Sequence, residues 1–365
     1  MFDKLNIYIF KRFLVSFLIV LTTLSVILFV GDFVEQFRKS STKNVPINII
    51  FQLTALNFPS LIFFTLPIIT FFSSIIAYLI LIQNSEKIII GSIGISNIRL
   101  SVPSILLFLT IGFFFVFVAN PLLAIFEEKY SELEYKYIDR VDKFAAITKN
   151  GLWLKQENEE KKFSSVLYAK TIKNQGKNLI EFMVLEYDEQ GAFQGRLDGQ
   201  SAELNDGFWL MSDTQISPKY GKSYYEKNLK YQTNIKLEDI TDSLSSPSSI
   251  PIWRLATFIN FLESLGYSAI DFKMHFYNLI FLPLYLASLS LLASSLVINL
   301  KQNDKYALTL TYSFILIFII YFLSNLLDAL GSTGQLHPII TKSTVPIIVI
   351  MLSTGIYYYS NKNKS

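Results

Sequence analysis

Cysteine is absent from all 365 residues, and histidine occurs only at His275 and His337. The first absence removes disulfides, thiol nucleophiles and thiolate metal sites together. The second leaves neither a metal cluster nor a histidine-based triad, so both histidines read as interfacial side chains. Charge is scarce too: 17% of residues carry it, against about 25% in typical soluble domains. A net charge of +3 is too small to suggest nucleic acid as a partner. Phosphate loops are missing as well. Gly221-Lys222-Ser223 ends like one, but the glycine required five residues earlier is replaced by Ile216. Glu181, Glu186 and Asp188 are scattered as on a solvated strand face. The chain therefore reads as no enzyme, with neither a cofactor nor a metal of its own.

What the chain has in quantity is apolar surface, with 51% hydrophobic residues, more than one aqueous core can hold. Uncharged runs cover Phe13–Gly31, Asn44–Ser85, Leu100–Phe126, Met274–Leu300, Tyr306–Leu327 and Ser343–Ser360. A hydrocarbon core of about 30 Å needs roughly 20 helical residues, so each run can cross once. Six spans are expected. The second run is overlong, and Pro46, Pro59 and Pro67 suggest that Ile47–Asn57 lies along the interface before a true span over Phe58–Ile82. The first run has basic residues before it but is too long for a signal peptide and lacks a small-residue cleavage site, so it is expected to stay attached. Polar residues inside the spans are mild: Ser73, Ser74, Asn120, Ser294, Ser295, Asn325 and Asp328. An ion-driven carrier would hold ionisable groups near the midplane, whereas Asp328 lies near a span end. The serines read as helix-packing residues.

Loop charge orients the chain. Lys4, Lys11, Arg12, Lys87, Arg99, Lys301, Lys305, Lys362 and Lys364 all fall on one side of a six-span arrangement. Both termini and the loop between spans two and three are thus expected in the cytoplasm, in a multi-pass membrane protein. The other side carries a large insertion that reads as β. "VLYAKTI", "NLIEFMVLEYD", "AFQGRLDGQSAEL", "GFWLMSDTQI" and "LKYQTNIKL" are separated by turn signals, the strongest being Asn205-Asp206-Gly207. Before span four, Pro251–Ser268 has the apolar spacing of a helix on the membrane surface or against the domain. The expected organisation is residues 1–126 for spans one to three, with a short polar helix at about 84–97, residues 127–272 for the extracytoplasmic β domain and its connecting helix, and residues 273–365 for spans four to six.

These pieces match a family when taken in order. "DFVEQFRK" (Asp32–Lys39) closes span one, Leu66-Pro67 lies in span two, and "NSEKIIIGSIGIS" follows it. "NPLLA" (Asn120–Ala124) ends span three, "GLWLK" (Gly151–Lys155) opens the insertion, and "GQLHPIITKSTVP" (Gly334–Pro346) enters span six. The whole chain resembles the permease subunits of the lipopolysaccharide export ABC transporter, closer to the G-type than to the F-type subunit through "DFVEQFRK" and "GLWLK". The resemblance implies six membrane helices in a three-plus-three order with an inserted periplasmic, all-β, jelly-roll-like domain. It implies a homologous six-span permease as partner, a cytoplasmic ABC ATPase dimer that uses the ATP and magnesium, periplasmic bridge proteins, and lipopolysaccharide as substrate.

It also implies two sites. Glu86 falls where the family presents a carboxylate to the ATPase, with Lys87 beside it and Ile89, Ile90 and Ile93 as an apolar face for a groove in that partner. Read without the family, Glu86 and Lys87 serve equally well as caps that keep span two from sliding. The second site is the basic cluster Arg38, Lys39 and Lys43, suited to lipid phosphates or to general anchoring. Asp32 departs from the basic residue some relatives carry at its position. Phe13, Phe17, Phe29, Phe314, Phe318 and Phe322 are candidates for a greasy acyl-chain cavity. Two other classes remain: a receptor whose β domain senses a ligand, and a permease of another lipid or lipoprotein ABC exporter, although those usually insert the large domain after span one.

Overall fold

The computed structural model describes residues 2–41, 45–93, 95–139, 145–148, 151–158, 163–173, 177–188, 190–205, 207–233, 246–264, 268–297, 300 and 306–362. Two compact units result, residues 1–139 with 273–365, and residues 140–272. Among the described residues the first unit contains six helices long and apolar enough to cross a membrane. Span one is α1 (Phe2–Ser40) and span two is α2 (Ile47–Gln83). A short α3 (Glu86–Ser92) follows. Span three runs through α4 (Asn97–Phe114), a π-helical stretch at Phe115–Ala119, and α5 (Asn120–Glu134), with a second π-helical stretch at Tyr135–Asp139. Spans four to six are α7 (Ile270–Val297), α8 (Tyr306–Ser332) and α9 (Pro338–Lys362).

Two of these helices differ from the expected boundaries. Ile47–Asn57 does not break away along an interface: α2 is continuous through Pro59 and Pro67. At about 1.5 Å per residue, α2 is about 55 Å long and outruns the hydrocarbon core. Its first turns are held because Leu53 is buried with Tyr130 and Ile138, and Ile49, Leu56 and Leu133 pack around them. Those partners lie on the continuation of span three, which does not stop at Phe126 but stays helical to Asp139. The π widening just before Asn120-Pro121 has a local cause, since Pro121 lacks an N–H and its ring crowds the carbonyl four residues earlier.

Close backbone approaches hold the spans together where side chains are small. A Cβ on Gly112 would lie 2.5 Å from Pro283 Cα, so α4 and α7 meet almost backbone to backbone. Hydroxyls supply the polar contacts. Ser101 Oγ donates to Ser294 Oγ at 2.9 Å and lies 2.6 Å from Tyr357 Oη, while Tyr78 Oη meets Ser104 Oγ at 3.0 Å. Spans two, three, four and six are thereby fastened by hydroxyl pairs, which is the packing role expected of Ser294. Asp328 pairs with Lys342 at 2.7 Å, joining spans five and six.

The second unit is a seven-stranded antiparallel sheet in sequence order: β1 (Ala145–Thr148), β2 (Gly151–Asn158), β3 (Phe163–Lys173), β4 (Asn178–Asp188), β5 (Phe193–Asn205), β6 (Phe208–Pro218) and β7 (Tyr224–Gln232). These pairings draw a meander; they do not by themselves draw a jelly roll. The β5–β6 hairpin pairs Asn205 with Phe208, and Gly207 takes φ 81° in the turn, as Asn-Asp-Gly demands. A crease crosses the sheet. Pairing skips Lys170–Glu181 and Asp213–Lys227, and Gln200 is passed over on both its neighbours. Glu181 and Asp213 have φ 53°, which reverses the alternation of faces, so Leu179 is followed into the core by Phe182 and Val184, and Trp209 and Met211 by Thr214. Residues 234–237 of the expected last strand lie outside the described residues. Helix α6 (Ile252–Ser264) follows, with Leu255, Ile259 and Leu262 buried, and residues 265–267 of the expected helix lie outside the described residues.

Candidate functional site

The polar segment between spans two and three is positioned by a sharp reversal. Asn84 N–H closes α2 onto Ile80 O at 3.1 Å, and Ser85 then adopts a left-handed conformation at φ 59°. That residue turns the chain without capping α3 by its side chain. Glu86 becomes the first residue of α3, and its position is fixed by three donors to one oxygen. Tyr8 Oη reaches Glu86 Oε1 at 3.0 Å, Arg12 Nη2 at 3.1 Å and Asn84 Nδ2 at 3.1 Å. The other oxygen, Oε2, is buried with no partner, and so is Arg12 Nε. The pair is partly dry, with 32% of the arginine and 20% of the glutamate side chain exposed.

Lys87 points elsewhere: its Nζ donates to the carbonyl of Leu300, just after span four, at 3.1 Å. Adjacent residues of one short helix therefore hold the start of span one and the end of span four. The isoleucines divide. Ile89 and Ile93 are 58% and 53% exposed, as a docking face requires, but Ile90 is turned into the bundle at 5%. Its place on the exposed side is taken by Ile88, 65% exposed, which the sequence reading passed over. The reading also passed over Tyr8 and Arg12 as site residues, since nothing in their spacing reveals a partner 74 or 78 residues away.

The basic cluster lies at the opposite end of the same helices, and the structure does not gather it. Arg38 forms a two-pronged pair with Glu35 on its own helix, Nη2 to Oε1 at 2.7 Å and Nε to Oε2 at 3.0 Å. Lys39 instead faces Glu134 on the continuation of span three at 3.8 Å. Lys43 lies outside the described residues. Around them the chain supplies further polar contacts: Asn57 Nδ2 donates to Asp32 Oδ1 at 2.8 Å, Gln36 Nε2 to Tyr130 Oη at 3.0 Å, and Ser60 Oγ to Glu127 Oε2 at 3.0 Å. These contacts tie the overlong ends of spans one, two and three to one another. Asp32 is thus used within the chain.

The phenylalanine candidates also separate into two groups. Phe13 packs edge-on against Tyr78 and Phe17 against Phe108, both in the core, and Phe29 sits between Phe51 and Phe58. Phe314, Phe318 and Phe322 of span five are exposed along one side of α8. No group of three or more histidine, cysteine, aspartate or glutamate side chains with metal-binding geometry occurs among the described residues.

The family model described as lipopolysaccharide export system permease LptF/LptG matches residues 7–360. A search of curated proteins finds no match. Matched over nearly its whole length, and built of six membrane-length apolar helices with an antiparallel sheet inserted between the third and fourth, the chain belongs to the lipopolysaccharide export system permease family LptF/LptG.

Proposed function

We propose that this chain is a permease subunit that extracts lipopolysaccharide from the inner membrane and passes it to a periplasmic bridge, driven by a separate cytoplasmic ABC ATPase. Family membership supports the export role. The observation that carries the coupling is α3: a seven-residue helix with Glu86 in its first turn and Ile88, Ile89 and Ile93 exposed, on the side where basic loop residues collect. An exposed apolar triplet beside a carboxylate suits a groove lined by apolar and cationic side chains. On this reading both termini and α3 are cytoplasmic and the sheet is periplasmic. The second six-span permease completes the membrane unit, bridge proteins continue from the sheet, and "DFVEQFRK" and "GLWLK" favour the G-type position.

Arg38 and Lys39, at the opposite end, are the proposed contacts for lipid phosphates, with Lys43 as a third by sequence. Span five offers Phe314, Phe318 and Phe322 to acyl chains. The coupling is tested by expressing the chain with its partner subunits and isolating it through a tag. The wild type should bring down an ABC ATPase and a second six-span subunit, and Glu86→Lys should lose the ATPase. Full retention of the ATPase by Glu86→Lys removes Glu86 from the coupling.

A further inference from the structure

Span one is loosely enclosed: 22% of its apolar window is buried, against 67% for span two. Its buried aromatics, Phe13 against Tyr78 and Phe17 against Phe108, hold it deeper in the bundle. At the α3 end the grip is polar and specific. Tyr8 and Arg12 stand four residues apart on one face of α1, the Arg12 guanidinium lies 5.9 Å from the Tyr8 ring centre, and both donate to Glu86 Oε1. Because Glu86 begins α3 immediately after the reversal at Ser85, any displacement of α3 moves its carboxylate directly.

We propose that Arg12 is the positioning residue that delivers movement of α3 to span one through its pair with Glu86, while Lys87 fastens α3 to the end of span four. This rests on the reading of α3 as the place where the ATPase acts. The pair is monodentate, and each partner keeps one buried, unmet group, Arg12 Nε and Glu86 Oε2. A small shift of α3 toward span one can satisfy both by closing the fork to two parallel bonds. The contact therefore has room to tighten under a push, which a purely apolar anchor such as Ile90 does not. Lysine can supply the charge but not the fork.

The test uses the assembled complex in lipid nanodiscs, measuring lipopolysaccharide released per ATP hydrolysed. Arg12→Gln should still co-purify with the ATPase yet release roughly fivefold less lipopolysaccharide per ATP or worse, the lower edge of a typical coupling. Arg12→Lys should recover part of the loss. A merely structural anchor would lower assembly, hydrolysis and release together, and an unchanged ratio in Arg12→Gln overturns the proposal.

The underlying reading fails separately: Ile88→Glu with Ile89→Glu, both on the exposed side of α3, with the ATPase still fully bound sinks docking at α3, whatever Arg12 does.

Discussion

Arg38 and Lys39 are neighbours in sequence and strangers in space. Successive residues on a helix diverge by about 100°, so one faces solvent beside Glu35 and the other faces Glu134. A string of basic letters showed charge but not its partners. The pair Arg38–Glu35 is exposed on both sides, and such pairs contribute little and break readily. Arg38 is consequently the better placed of the two to leave its partner for a phosphate. Arg38→Glu should reduce photocrosslinking to lipopolysaccharide in the assembled complex more than Lys39→Glu does, with the ATPase still bound. Equal crosslinking in both variants and the wild type would make the cluster an anchor. Glu86 shows the same limit of a sequence reading. Its place in the first turn of a short helix was legible, but its three donors were not, because two of them sit in span one.

Among the elements, span positions were readable because apolar length is a strong signal, and span ends were not. The early turns of α2 stay helical through burial against α5, a tertiary contact that proline positions alone contradict. Where α4 meets α7, glycine is the only residue that fits. Gly112→Ala should destabilise the purified protein by about 1–3 kcal/mol, as overpacking does. Thermal unfolding in detergent measures this, and an unshifted midpoint would contradict the backbone approach.

In the sheet, five strands were visible from alternation and turns, while β1 and β2 were missed. "GLWLK" resembled a family signature more than a strand, and β1 has only four residues. The β4–β5 turn is organised by Asp188, whose carboxylate accepts from the backbone N–H groups of Ala192 and Gln190 and from the Gln194 side chain. Those bonds, the one from Ala192 foremost, hold its carboxyl below the usual value. A lowered folded pKa means the contribution is present above the ordinary aspartate pKa of about 3.9 and lost as pH falls through the lower folded value. The amide signals of Gln190 and Ala192 in the labelled full-length protein should therefore titrate below about 3.9, and Asp188→Asn should abolish the titration. A midpoint at or above 3.9 would show that the turn does not hold the carboxylate.

For the molecule as a whole, order carried more information than any single motif. Six apolar runs with one β-rich insertion after the third set the architecture, and the family match over residues 7–360 agrees with that order. Sequence could not show that the bundle is fastened by hydroxyls between spans two, three, four and six, since serines in apolar helices look alike until their neighbours are known. Nor could it show that spans one and four are both gripped by α3, because the grips join residues 74 and 213 positions apart. The central claim is that energy enters through this helix. A photocrosslinking amino acid at Ile89, in the full complex, measures it most directly. An adduct with an ABC ATPase from position 89, and none from position 193 on β5, is the predicted result. The absence of any ATPase adduct from position 89, in a complex that still contains the ATPase, would contradict it.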